Sequence, residues 1–201
     1  HLGPMETIKR KYNVSDLSMI EHNKTMLQHF TDEQLNFTSF DADFALPFDT
    51  DWQALITTAE NQATDETTQD QLQQLTNDVD AAMEAARDKF QTSKFFIEKA
   101  FNSKPAVMNE FGFDDYDRQR KSQTGMIQFM HTFFATATKY AVEMAAAGYN
   151  AAAVAEIETL GIALDAANNA QEKFKGTRQA ITEQRITAMN DAWNKMLIVS
   201  K

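Results

Sequence analysis

Helix breakers are spaced so widely along this chain that they constrain its architecture more than any other feature. The prolines are Pro4, Pro47 and Pro105, and the glycines nearest the later seams are Gly112 and Gly148. Proline removes a backbone donor and clashes with the preceding helical turn, so it marks where helices end. Between these marks, apolar residues recur at helical spacing over long stretches. The pattern predicts an all-α fold, an elongated up-down bundle of about four long helices.

The first segment opens at Ser15-Asp16, an N-cap pair, and Leu17, Ile20, Leu27 and Phe30 follow at roughly helical spacing. Thr31-Asp32-Glu33-Gln34 reads as a capping box, giving either a continuation or a fresh short helix to about Phe40. Residues 41–50 are irregular. There Phe40, Phe44 and Phe48 gather around Pro47 as a packed aromatic loop, a candidate to cover a pocket or dock a partner.

A second capping box, Thr50-Asp51-Trp52-Gln53, starts the second segment, with Trp52, Leu55, Ile56 and Ala59 as one stripe. Residues 61–70 are almost all polar. The stripe then resumes with Leu72, Leu75, Val79, Met83, Phe90 and Ile97, displaced by about two residues, so this helix stutters or bends. A third segment is expected from Asp114 to Ala147. Gly148-Tyr149-Asn150 supplies a C′ glycine and an asparagine N-cap, enough for a tight helical hairpin into a fourth segment from Ala151 to about Val199.

At 201 residues and 43% hydrophobic, the chain can bury a substantial core. Residues 14–201 are therefore expected as a single helical-bundle domain, preceded by a flexible tail over residues 1–13. His1-Leu2-Gly3-Pro4 before Met5 resembles a tag remnant, and no apolar stretch of signal-peptide length follows. Read with Met5 as the start, the chain is expected in the cytoplasm; a secreted mature fragment would carry the same residues.

A net charge of −10 opposes binding to nucleic acid, and the one basic cluster, Lys9-Arg10-Lys11, is short. The absence of cysteine excludes disulfides, thiolate metal sites and a cysteine nucleophile.

No constellation of residues announces a reaction. A di-iron bundle needs Glu-x-x-His pairs, yet the residues three before His22, His29 and His131 are Met19, Met26 and Gln128. His22 and His29 read as surface or partly buried residues, and His131, beside Phe129, Met130 and Phe133, reads as a core histidine. Asp41, Asp43, Asp49 and Asp51 fail the calcium-loop register, because Leu46 stands where glycine is needed and Trp52 where the bidentate glutamate belongs. There is no Gly-x-Ser-x-Gly elbow and no glycine-rich phosphate loop.

The sequence thus points to a non-enzymatic bundle, with no cofactor and no metal, acting in protein–protein interaction or self-association. The alternative is a membrane-active, pore-forming-like protein. Its instrument would be the uncharged alanine-rich tip over residues 145–154, in which Ala146, Ala147, Gly148, Tyr149, Asn150 and Ala152 are the candidate contacts. The same tip would serve as a protein contact if exposed.

Overall fold

The computed structural model describes residues 7–201; the tag-like residues 1–4 lie outside them. Among the described residues all regular structure is helical, as the breaker spacing predicts. The helices are α1 (Asp16–Asp32), α2 (Gln34–Phe40), α3 (Phe48–Glu60), α4 (Asp65–Phe101), α5 (Pro105–Glu110), α6 (Tyr116–Gln119), α7 (Gln123–Lys139), α8 (Ala141–Ala146) and α9 (Ala151–Val199), with a 3-10 turn at Ala42–Phe44. The chain divides into two compact units. Unit 1 comprises residues up to Gln69 together with Thr177–Lys201, and unit 2 is Asp70–Gly176.

Unit 1 is built from α1, α2, α3 and the C-terminal part of α9. Ser15 caps α1, its Oγ accepting from the Ser18 amide at 3.1 Å. The buried positions Met19, Ile20, Asn23, Leu27 and Phe30 of α1 meet Phe48, Trp52, Ile56 and Ala59 of α3, both at three- and four-residue spacing. Ala188, Met189, Ala192 and Met196 of α9 complete this core. Phe30 sits at its centre, with the rings of Phe37, Phe44, Phe48 and Trp52 between 4.9 and 6.0 Å away. Fully burying a ring such as that of Phe30 contributes about 1.5–3 kcal/mol, and the half-buried Phe37 and Phe44 contribute less.

Asn23 is the one fully buried polar side chain of α1, and its bonds explain its place. Its carbonyl oxygen accepts from Trp52 Nε1 at 2.9 Å, and its amide nitrogen donates to the Met19 carbonyl at 3.1 Å.

Unit 2 is organised by α4, whose buried residues Val79, Met83, Ala86, Phe90, Ile97 and Phe101 face Met126, Phe129, Met130, Phe133 and Ala137 of α7. Val154, Ile157 and Leu164 of α9 close the core. Backbone approach is tight where a Cβ placed on Gly161 would stand 3.2 Å from Met130 Cβ. Phe90 is the hub here, 4.6 Å from the Tyr116 ring and 4.7 Å from Phe129.

Three boundaries differ from the sequence reading. α3 begins at Phe48 with no side-chain cap, so Thr50 lies inside the helix instead of starting it. The displaced stripe resolves into a break over residues 61–64, after which Thr64 Oγ1 caps α4 by accepting from the Thr67 amide at 3.1 Å. The expected third segment is cut into α6, α7 and α8, because Ser122 caps a new helix through the Gly125 amide at 3.0 Å and Tyr140 leaves helical backbone at φ −105°.

Candidate functional site

The aromatic loop does not form one ridge. Phe48 is buried, Phe44 is half-buried and Phe40 is 87% exposed. The cause lies in α2, which has no buried residue. Phe37 alone of its rings turns inward, 4.9 Å from Phe30 and 5.7 Å from Phe44, and this fixes the short helix with Phe40 and Leu35 outward. Leu35 and Leu46 are 83% and 71% exposed. Lys195 covers Phe48 on another side, its Nζ 4.0 Å from the ring centroid.

The hairpin tip is held to α4. Gly148, at φ +101°, is the C′ residue of α8: its amide bonds the Ala145 carbonyl at 3.0 Å and the Tyr149 amide bonds the Met144 carbonyl at 2.8 Å. Asn150 then caps α9 by accepting from the Ala153 amide at 2.9 Å. Ala146, Gly148, Asn150 and Ala152 are exposed, whereas Ala147 and Tyr149 are buried.

Two α4 side chains grip this turn. Lys99 Nζ donates to the Ala147 carbonyl at 2.9 Å, and the Tyr149 hydroxyl lies 2.6 Å from Ser93 Oγ. Ser93 itself donates to the Lys89 carbonyl at 2.6 Å, so the direction of the chain is settled: Tyr149 donates to Ser93. The pattern of apolar spacing gives no sign of either grip.

A third surface lies where the sequence suggests a flexible tail. Residues 9–12 are anchored to α9 instead, because Asn190 offers both halves of its amide: Nδ2 donates to the Lys9 carbonyl and Oδ1 accepts from the Lys11 amide, each at 2.9 Å. The Tyr12 ring lies 5.7 Å from that of Trp193. Arg10 makes a two-pronged bond to Asp16, at 2.6 and 2.8 Å, and Tyr12 donates to the same carboxylate at 2.6 Å.

Behind Asp16 stands Arg185, only 3% exposed, at 2.6 Å from Asp65 and 3.5 Å from Asp16. The Arg10 bond holds the Asp16 carboxyl below its ordinary range, and the guanidinium of Arg10 is raised in turn by Asp16. Burial pushes the Tyr12 hydroxyl up to about 12, and its bond to Asp16 adds to the shift.

A cleft of about 540 Å³ in unit 2 is lined by Asp80, Met83, Arg87, Tyr116, Arg120 and Lys121, among others. Arg87 donates to the Arg120 carbonyl at the rim, and the buried Tyr116 hydroxyl has no hydrogen-bond partner. The lining mixes acids and bases without a grouped set. His22, His29 and His131 are all exposed, so His131 is not the core residue expected from its neighbours. Among the described residues no three His, Asp or Glu side chains are grouped to hold a metal ion, and no helix is long and apolar enough to cross a membrane. Comparison with protein-family models, with curated proteins and with solved structures finds no match.

Proposed function

We propose that the chain is a non-enzymatic helical bundle that acts in protein–protein interaction, with residues 35–46 as its contact segment. The observation that supports this reading is the outward placement of Leu35, Phe40 and Leu46 on a segment whose own helix buries nothing. Large apolar side chains left in water favour association, each contributing about 1.5–3 kcal/mol if a partner covers it fully. The internal rings Phe37 and Phe44 tie the segment to unit 1, so little ordering entropy opposes that association.

The test compares the wild-type chain with a Leu35→Glu, Phe40→Glu double variant of equal helicity. Association is followed by sedimentation over a wide concentration range and by cross-linking to co-purifying proteins. A self-complex or a specific cross-link present in the wild type and absent from the variant is the expected result. Identical sedimentation and identical cross-links for the two proteins would remove this segment from the interaction.

A further inference from the structure

We propose that the face of α9 bearing Asn190 and Trp193, flanked by Asp16 and Asp65, is a groove for a basic peptide carrying arginine and, two residues on, an aromatic. Residues 9–12 fill it in cis as an intramolecular stand-in for that ligand. The proposal extends the interaction reading to a second surface, separate from residues 35–46.

Four observations carry it. Asn190, 6% exposed, bonds the carbonyl of Lys9 and the amide of Lys11, the two main-chain groups that flank Arg10. A side chain that reads backbone in this way is indifferent to the side chain between the two groups, so selection falls to the flanking contacts. Arg10 and Tyr12 both reach Asp16, on either side of the bend at Lys11, while no such partner holds the exposed Lys9 and Lys11 side chains in this groove.

The receptor side is also built without help from the segment that fills it. Arg185 holds Asp65 at 2.6 Å and approaches Asp16 at 3.5 Å, and its Nη1 reaches the Ala63 carbonyl at 3.4 Å. Both carboxylates therefore keep a buried cation when Arg10 leaves. Finally, the groove continues beyond the bound residues: an open depression of about 540 Å³ beside Ile8 is lined by Thr58, Gln62, Glu183, Thr187 and Asp191. Its acids, on a chain of net charge −10, favour a cationic peptide. The chain's own Lys9-Arg10-Lys11-Tyr12 is such a segment. Tethered just before α1, it holds the groove at high effective concentration.

The experiment uses the full chain and a fluorescently labelled peptide of sequence Ile-Lys-Arg-Lys-Tyr-Asn, matching residues 8–13. Weakening the internal segment with Arg10→Ala and Tyr12→Ala should raise peptide affinity at least tenfold over the wild type. Adding Asn190→Ala should abolish that gain, and a peptide with alanine in place of its arginine and tyrosine should not bind. Equal affinity for wild type and weakened variant, or indifference to Asn190→Ala, would overturn the proposal. A second measurement needs no variant: hydrogen exchange at the Lys11 amide of the wild type should accelerate at least tenfold at saturating peptide, and no acceleration would overturn it. Concentration-dependent dimers of the wild type, lost with Asn190→Ala, would place a second copy's segment in the groove and refute filling in cis. Failure of these tests leaves the Leu35 and Phe40 comparison untouched.

Discussion

The directed chain from Tyr149 through Ser93 to the Lys89 carbonyl makes an unequal pair of substitutions out of two groups that share one bond. Replacing Tyr149 by phenylalanine removes a donor and leaves Ser93 still donating to Lys89, so the loss is that of one ordinary hydrogen bond, about 0.5–1.5 kcal/mol. Replacing Ser93 by alanine leaves the Tyr149 hydroxyl a buried donor with nothing to meet it, at a cost of about 1–3 kcal/mol. Alanine is the better helix former, and that offsets up to about 0.5 kcal/mol of this cost.

The sign of the Ser93→Ala effect should therefore depend on its partner. In the wild type it destabilises. In a Tyr149→Phe background no donor is orphaned, so it should be neutral or stabilising by up to about 0.5 kcal/mol, with a coupling of about 1–3 kcal/mol between the sites. Urea unfolding followed by far-ultraviolet circular dichroism, analysed as a double-mutant cycle at constant slope, gives the four free energies. Additive losses in the double variant would refute both the direction of the bond and the burial argument.

Three further outcomes are expected. Phe48→Ala should cost about 3–5 kcal/mol because the ring is 8% exposed within the Phe30 cluster, whereas Phe40→Ala should stay within about 0.5 kcal/mol; the same urea assay compares them. Gly112→Ala should destabilise, since the residue holds φ +92° and a Cβ would stand 2.3 Å from Phe129 Cε2. Gly176→Ala, with nothing within 4 Å, should stabilise by about 0.5–1 kcal/mol, read as opposite shifts of the melting temperature. The folded-state depression of Asp16 gives a contribution present above the unfolded carboxylate range and lost as pH falls through the folded value. The raised Tyr12 gives one complete below about pH 10 and lost as pH rises toward about 12, so Lys11 amide protection should peak between these limits and decline at both ends.

Much of the fold was legible because capping and periodicity are local. Ser15, Gly148 and Asn150 each perform the capping role their residue type suggests, and the displaced stripe after Ala59 locates an irregularity that turns out to be a full break at residues 61–64 and not a bend within one helix. Serine at position 122 is equally a cap, but the apolar spacing from Tyr116 to Met126 runs across it and hides the boundary. His131 follows from geometry once the stripe of Phe129, Met130, Phe133 and Ala137 is laid on a helix, because position 131 then turns outward. The surfaces were harder to read. Ser93 meets Tyr149 across 56 residues and Asn190 meets Lys11 across 179, and no spacing rule connects polar partners so far apart. Phe40, Phe44 and Phe48 look alike in sequence, and only the inward turn of Phe37 separates them.

The tryptophans Trp52 and Trp193 both fall in unit 1, and residues 70–176 contain none. Emission excited selectively from tryptophan therefore reports unit 1 alone, while circular dichroism registers helices of both. Coincident denaturation curves by the two probes would mean that the units melt as one cooperative body, and separated curves would yield an independent stability for each without any engineered label.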